Sequence, residues 1–235
     1  MLTRIAAAAC PERAELVIEI GPGRGALTRK LLERAKRVVA IEVDPYLAGH
    51  LRRQYASEPR LEVVEADVLS TDLGQWGHVP VAGNLPYYIT SPILERVLQT
   101  HPPRAVFLIQ KEVAERLVAA PGSRDYGYLT VRTAFFAGAR LLFEVKPAAF
   151  HPPPKVDSAV VLLHPQAPPA GLADPEAFLR FVALCFSHKR KTLRNNLAGQ
   201  YGKDAVEGWP EAGLRAEQVA LEGFVEMFAR LGKLQ

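Results

Sequence analysis

The chain has 235 residues, of which 49% are hydrophobic and 23% are charged, and it carries a formal net charge of +4 with a pI near 9.1. This composition is ordinary for a globular protein of one large domain, or of one domain with a small appendage, that needs no disulfide or metal to hold its core. No apolar run reaches transmembrane length, residues 1–5 lack the apolar region of a signal peptide, and Cys10 and Cys185 fit no CxxC or Cys/His pattern. We therefore expect a cytoplasmic protein with reduced cysteines and no membrane partner.

Short apolar runs alternate with segments of helical periodicity up to residue 120. Strands are predicted at residues 15–20, 37–43, 61–66, 80–83 and 105–109. Helices are predicted between and after them, at residues 26–35, 45–55, 91–99 and 111–120. This alternation predicts an α/β fold with a Rossmann-like, doubly wound, mostly parallel sheet. Right-handed crossovers then gather the carboxyl ends of the strands at one edge, where ligands bind.

The last part of the chain is predicted to close the sheet and then to form helices only. One helix and two late strands, which form a closing hairpin, are predicted at residues 129–136, 141–145 and 158–163. Residues 164–174 are rich in Pro, Ala and Gly and are interpreted as a linker. Helical periodicity follows to the end of the chain. We therefore predict a catalytic domain at residues 1–165 and a small helical subdomain at 171–235.

A glycine-rich turn after the first strand indicates a cofactor site. Gly21 and Gly23 belong to a GxGxG run, not the GxGxxG of dinucleotide-binding proteins, and glycine lets a ligand approach the backbone. Glu42 ends the next strand about 20 residues on, where an acid can bind ribose hydroxyls. Asp67 ends the third strand, where a carboxylate can accept from an adenine amine. Each residue alone has a structural alternative (a tight turn, an exposed acid, a helix N-cap), but together they predict S-adenosylmethionine (SAM) as the co-substrate.

The segment Asn84-Leu85-Pro86-Tyr87, directly after the fourth strand, predicts the chemistry. The side-chain oxygen of Asn84 and the carbonyl of Leu85 can accept the two hydrogens of an adenine amine, while Pro86 holds the turn rigid. Tyr87 offers a ring face on which a base stacks and which stabilises positive charge developing on nitrogen. The lone pair of an adenine amine is delocalised into the ring, so its nitrogen needs rehybridisation and in-line placement with the methyl group instead of a strong base. We expect methyl transfer to a base nitrogen with no catalytic histidine and no metal, and NAD binding would leave this segment unexplained.

Two further segments indicate a nucleic-acid substrate. Prolines 152–154 stiffen a loop, so that Phe150 can stack on the face of an extruded base opposite Tyr87; the alternative is a core position for Phe150. A basic cluster is predicted to open a helix of the second subdomain and to contact phosphates of a structured RNA, the alternative being a solvated helix face: Lys189, Arg190, Lys191 and Arg194. Lys111 and Arg116 are predicted to extend it.

Over nearly its whole length the chain resembles the small-subunit (16S) ribosomal RNA adenine N6,N6-dimethyltransferases, the KsgA family. The motifs that carry the resemblance are Glu19-Ile20-Gly21-Pro22-Gly23-Arg24-Gly25, Ile41-Glu42-Val43-Asp44, Ala66-Asp67-Val68, Asn84-Leu85-Pro86-Tyr87, Gln110-Lys111-Glu112-Val113-Ala114, Phe150-His151-Pro152-Pro153-Pro154-Lys155-Val156 and Lys189-Arg190-Lys191-Thr192-Leu193-Arg194. The resemblance implies a SAM-dependent methyltransferase fold. It also implies dimethylation of two adjacent adenines in the 3′-terminal hairpin of small-subunit rRNA during subunit maturation, with the assembling subunit as partner.

The resemblance also assigns roles to single residues. It implies SAM binding by Gly21, Glu42, Asp67 and Asn84, a catalytic loop at residues 84–87, and base stacking by Phe150. The family carries a Gly-Gln-Asn-Phe-Leu segment before its first helix, whereas residues 1–5 of this chain match the middle of that helix. We therefore expect the segment that covers SAM to be missing from this sequence.

Two other functions remain open at this point, while a third, methylation of a small molecule, would leave the helical subdomain and the basic cluster unexplained. One is methylation of large-subunit rRNA adenine of the erythromycin-resistance type, which shares the catalytic loop. The other is an rRNA-binding assembly factor without catalysis, if the N-terminal truncation is real. Nothing in the sequence demands an oligomer, so we expect a monomer.

Overall fold

The computed structural model of the protein describes residues 1–169, 172 and 174–232. Within these residues the chain forms two compact units. The sheet unit comprises residues 1–114 and 137–165, and the helical unit comprises the described residues of 115–136 and 166–235. The predicted boundary near residue 165 is therefore one of three places where the chain changes unit, because residues 115–136 pack with the C-terminal helices.

The sheet unit is built on one mixed sheet. In chain order its strands, among the described residues, are β1 (Ala14–Ile20), β2 (Ala35–Glu42), β3 (Leu61–Glu65), β4 (Val81–Asn84), β5 (Ala105–Gln110), β6 (Ala137–Val145) and β7 (Ser158–Pro165). They lie in the order β3-β2-β1-β4-β5-β7-β6. The first five pair in parallel, β7 is antiparallel to β5, and β6 is antiparallel to β7. The mostly parallel sheet and its closing hairpin are as predicted.

Helices flank the parallel strands of the sheet unit. Helix α1 (Leu2–Ala9) precedes β1, and α2 (Ala26–Leu32), α3 (Pro45–Gln54) and α4 (Thr90–Gln99) lie in connections between strands. Helix α5 (Lys111–Leu117) follows β5, where the chain passes between units. One buried cluster joins α1 and α2 to inward side chains of the strands, such as Val17, Val38 and Val106. Buried parallel strands are apolar along their length, which explains why their short apolar runs could be found in the sequence.

The helical unit has an aromatic core. Its helices are α6 (Tyr128–Phe136), α7 (Pro175–Cys185), α8 (Leu193–Tyr201), α9 (Lys203–Glu207) and α10 (Leu221–Leu231). Phe135 stacks on Phe178 with ring centroids 5.1 Å apart, and Phe228 meets Phe178 edge-on at 5.7 Å. The Tyr126 hydroxyl donates to the carbonyl of Val219 over 2.8 Å. These contacts hold residues 115–136 to the C-terminal helices. No described helix is both long enough and apolar enough to cross a membrane.

Candidate active site at the carboxyl edge of the sheet

The glycine turn joins the end of β1 to the start of α2. Gly21, Gly23 and Gly25 all have positive φ, at 66°, 59° and 78°, a region that glycine enters without strain. A Cβ on Gly25 would lie 2.8 Å from Leu51, whereas a Cβ on Gly23 would meet nothing within 4 Å. The turn therefore needs glycine for its conformation, and its backbone at Gly23 faces open space that a ligand can fill.

Glu42, the last residue of β2, is 6% exposed and holds this turn. Its Oε2 accepts from the backbone N–H of Gly23 over 3.0 Å, and its Oε1 accepts from the N–H of Asp44 over 3.1 Å. The exposed-acid alternative is therefore wrong for Glu42. A carboxylate has about four acceptor positions, so two remain for ribose hydroxyls.

Glu19 is a second acid beneath the turn, and it is fully buried in β1. Neither carboxyl oxygen makes a well-formed hydrogen bond to another described residue. Burial raises the pKa of Glu19 from 4.5 to about 8; neighbouring Thr28 opposes the rise, and the negative charge of Glu42 adds to it. Glu19 is thus a neutral acid below this pH.

Asp67 lies just after β3 and is exposed. Its Oδ1 accepts from the N–H of Leu69 over 2.9 Å, which is a local turn bond. No described helix begins directly after Asp67, so the helix N-cap alternative is wrong for this residue. Its Oδ2 bonds no other residue in the described part of the chain. One oxygen of Asp67 thus shapes the loop, and the other remains available to a ligand such as an adenine amine.

The loop after β4 touches the glycine turn. The carbonyl oxygen of Asn84 lies only 3.5 Å from where a Cβ on Gly21 would be. Gly83 allows β4 to approach β1 closely, because a Cβ there would lie 2.5 Å from the carbonyl of Ile20. The side chain of Asn84 is exposed and has no hydrogen-bond partner among the described residues. A free carboxamide is therefore presented beside the predicted cofactor turn.

The remaining loop residues are fixed by the sheet around them. Leu85 is 2% exposed, and its N–H donates to the carbonyl of Leu108 on β5 over 3.1 Å. Thr90 donates its hydroxyl to the carbonyl of Pro86 over 3.1 Å. The hydroxyl of half-buried Tyr87 shares a hydrogen bond of 2.6 Å with that of Ser158. The loop is anchored at each residue that follows Asn84.

Phe150 is half-buried and packs against the buried cluster beneath α1 and α2. Phe150 thus partly occupies the core position that was the alternative to base stacking, and part of its ring is open to solvent. One ion pair joins the two ends of its loop, Lys146 with Asp157 at 2.5 Å, and a second joins Glu144 near the end of β6 to Lys111 of α5 at 2.8 Å. Lys111 thus lies in an ion pair of the sheet unit.

The basic cluster lies in the helical unit. Helix α8 begins only at Leu193, so the prediction that the cluster opens this helix is wrong for the three residues before it. The buried amide of Asn196 donates to the carbonyls of Cys185 (2.7 Å) and His188 (3.3 Å), which holds residues 188–191 in a turn.

The four predicted RNA-binding side chains differ in their partners. Lys189 donates to the carbonyl of Arg124 over 2.9 Å, and Arg194 pairs with Glu207 at 3.0 Å. Arg190 and Lys191 are exposed, with no partner among the described residues. The unpaired charge of the cluster is therefore concentrated on these two side chains.

Two residues of this edge were missed in the sequence. Ser158 gave no local signal, because its importance comes from Tyr87, which is distant in the chain. Val43 is apolar yet 59% exposed between two acids, and it can cover a flat ring. An apolar residue between acids directly after a strand was a signal available in the sequence. Over residues 1–169, 172 and 174–232 no group of three or more His, Cys, Asp or Glu is arranged to hold a metal ion.

Comparisons with known proteins cover nearly the whole chain. A family model described as ribosomal RNA adenine dimethylase matches residues 1–232. Ribosomal RNA small subunit methyltransferase A of Acidobacterium capsulatum is 42% identical over 232 residues, which span 93% of this chain and 82% of the relative. A dimethyladenosine transferase from Plasmodium falciparum matches with a TM-score of 0.82 at 26% identity, over 99% of this chain and 95% of that one. The 23S rRNA methyltransferase ErmE matches with a TM-score of 0.69 at 32% identity, over 98% and 96%.

Proposed function

The chain belongs to the ribosomal RNA adenine dimethylase family, and from this we propose that it transfers methyl groups from SAM to N6 of two adjacent adenines in the 3′-terminal hairpin of small-subunit rRNA. One observation carries the proposal. The backbone carbonyl oxygen of Asn84, in the predicted catalytic loop, lies 3.5 Å from the position that a Cβ on Gly21 would take in the predicted cofactor turn. Donor and acceptor sites are thus neighbours, as in-line transfer requires.

The residues around the turn fit SAM. The open space at Gly23 admits a ligand against the backbone, and Glu42 keeps acceptor positions for ribose hydroxyls. Asp67 has a free oxygen for an adenine amine, and exposed Val43 can cover the adenine ring. When bound, SAM supplies an electrophilic methyl group.

The catalytic loop is suited to prepare an adenine amine as a nucleophile. The amine nitrogen is flat because its lone pair is delocalised into the ring. The Asn84 side chain and the Leu85 carbonyl accept its two hydrogens, which favours a pyramidal nitrogen with a directed lone pair. The face of Tyr87 stabilises the positive charge that develops, and Phe150 covers the opposite face of the base. The surplus proton leaves to water, so no basic side chain is required.

The helical unit supplies charge for an RNA backbone. Arg190 and Lys191 are exposed and form no ion pair with a described residue, so both can contact phosphates without first breaking a bond. Lys189 and Arg194 must exchange their present partners to do so. We assign the main phosphate contacts to Arg190 and Lys191, and secondary phosphate contacts to the other two residues of the cluster.

Methylation of large-subunit rRNA is the second candidate, because ErmE is similar over nearly the whole chain. The two solved structures do not separate the candidates, because the dimethyladenosine transferase has the higher TM-score (0.82 against 0.69) and ErmE the higher identity (32% against 26%). The curated relatives at 38–45% identity, each named as a small-subunit methyltransferase, favour the small-subunit substrate.

Labelled SAM and undermethylated ribosomal subunits test the proposal. We expect label in N6,N6-dimethyladenosine at two adjacent adenines of the 3′-terminal hairpin of small subunits, and none in large-subunit RNA. Label confined to large-subunit RNA would replace the proposal by the second candidate. SAM binding without transfer to either RNA would overturn catalysis and favour an rRNA-binding assembly factor.

A further inference from the structure

We propose that Ser158 is a positioning residue that fixes the ring of Tyr87 for stacking on the target base, an inference that rests on the proposed function. Ser158 is fully buried, and its Oγ lies 2.6 Å from the hydroxyl oxygen of Tyr87. The two residues are 71 positions apart in the chain. This bond joins the catalytic loop to the first residue of β7.

Tyr87 is held at both ends of its side chain. Its backbone belongs to a short 3₁₀ turn, residues Tyr87–Ile89, and its hydroxyl reaches Ser158. The next residue, Tyr88, lies in the same turn but is 83% exposed, and its side chain contacts no described hydrogen-bond partner. A tyrosine anchored only through its backbone can swing about χ1 and χ2, whereas a second anchor at the hydroxyl removes that freedom. The bond therefore distinguishes the stacking tyrosine from its neighbour.

Ser158 is a rigid anchor because the sheet fixes its backbone. It pairs with Gln110 in the antiparallel register of β5 and β7. Its neighbour Asp157 accepts from the N–H of Lys111 over 3.0 Å and pairs with the Lys146 ammonium. The ends of the loop that carries Phe150 are thus tied together beside Ser158.

The two aromatic residues assigned to the base are therefore connected through β7. Tyr87 is bonded to Ser158, and Phe150 lies in the loop that ends at Ser158. Fixing the spacing between the two rings prepares a slot for a flat base before the base arrives. Preorganisation of this kind lowers the ordering cost at the moment of reaction. Its loss should reduce kcat while SAM affinity stays unchanged.

A double-mutant cycle with Ser158→Ala and Tyr87→Phe tests the bond. Each single change deletes one hydroxyl and keeps the ring, so each should lower kcat by about 3- to 10-fold. The double variant should lose no more than either single one, because both remove the same bond. The KM for SAM should stay at the wild-type value, and the melting temperature should fall by only a few degrees, about as expected for one lost hydrogen bond. Tyr88→Phe, which deletes the neighbouring exposed hydroxyl, is the matched control and should keep wild-type kcat. The proposal would be overturned if the loss of kcat in the double variant equalled the product of the two single losses, or if Ser158→Ala kept the wild-type kcat.

A second readout separates this proposal from the proposed function. A 3′-terminal hairpin RNA with 2-aminopurine at the target adenine is bound to wild type and to each variant. Stacking on a fixed Tyr87 ring should quench the fluorescence of the bound 2-aminopurine, and Ser158→Ala should restore brightness at unchanged RNA affinity. If wild type transfers no methyl group but this difference appears, the proposed function fails and the positioning role stands. If wild type is active and both proteins quench equally, the positioning role fails alone.

Discussion

The Oε2 atom of Glu42 accepts a hydrogen bond from the backbone N–H of Gly23 over 3.0 Å. Gly23 has a φ of 59°, and nothing lies within 4 Å of the Cβ it lacks. The acid at the end of β2 therefore shapes the turn that follows β1, in addition to any contact with a ribose. This hydrogen bond joins the two motifs, although α2 and most of β2 separate them in the chain.

Replacing Glu42 by Gln should weaken SAM binding. The amide keeps one acceptor oxygen but turns the other into a donor, which opposes the N–H of either Gly23 or Asp44. Loss of a charge-assisted bond corresponds to a rise in Kd on the order of 10- to 100-fold. Isothermal titration calorimetry with SAM measures this change, and RNA affinity should be unaltered. Glu62→Gln, a change on exposed β3, is the control; a SAM Kd within about twofold of wild type for both variants would contradict the assignment.

Replacing Asn84 by Ala should abolish most transfer without unfolding the protein. The side chain is exposed and has no described partner, so its removal should leave the melting temperature unchanged. Loss of one oriented acceptor at the reacting amine should lower kcat on the order of 100-fold. Single-turnover transfer to undermethylated small subunits measures it, with exposed Gln99→Ala as the control. Near-wild-type rates for Asn84→Ala would remove Asn84 from the mechanism.

Replacing Gly83 by Ala should destabilise the sheet. The new Cβ would lie 2.5 Å from the carbonyl of Ile20, so β4 and β1 must separate. The free energy of unfolding should fall by about 2–3 kcal/mol. Gly138→Ala in β6 is the matched control, because nothing lies within 4 Å of its added Cβ. Urea denaturation followed by circular dichroism compares the two, and equal midpoints would contradict the close approach of the strands.

Replacing Arg190 and Lys191 together by Gln should weaken RNA binding and flatten its salt dependence. Two lost phosphate contacts reduce the slope of log K against log salt by about 1.4–1.8. Filter binding of the 3′-terminal hairpin at several salt concentrations measures the slope. Exposed Lys203→Gln in α9 should leave it unchanged. An unchanged slope in the double variant would show that the cluster is only a solvated surface.

The buried acid Glu19 should make stability fall as pH rises. Its pKa is about 8 in the folded protein against an ordinary 4.5, so between these values the folded state holds a proton that the unfolded state has lost. The free energy of unfolding should therefore decrease from about pH 4.5 to about pH 8, by at most about 5 kcal/mol, and then level off. Glu19→Gln removes this contribution and should flatten the dependence of the free energy of unfolding on pH. The free energy of unfolding of the variant should therefore exceed that of wild type most at about pH 8. Parallel profiles for the two proteins would show that Glu19 titrates normally.

The sequence alone predicted most of the local elements and the strand ends at which the proposed site residues lie. Apolar runs predicted the five parallel strands because buried strands are apolar on both faces. The glycine run after β1 and the segment 84–87 after β4 could be placed at one edge, because parallel strands joined by right-handed crossovers end on the same side. The roles of the site residues all remain predictions, and Asp67 and Phe150 each make a structural contact as well.

Only the tertiary structure decided which distant residues meet. Periodicity in the sequence indicates that a segment has a buried face, but it does not indicate which other segment covers that face. The packing of residues 115–136 with the C-terminal helices could therefore not be predicted. The same holds for Asn196, whose amide keeps residues 188–191 out of helix α8. The bond between Tyr87 and Ser158 has no local signature, because two hydroxyls are brought to 2.6 Å only by the register of β7 on β5. Motifs formed by neighbouring residues could be recognised in the sequence. Hydrogen bonds between distant residues, and the burial of each side chain, were determined only by the fold.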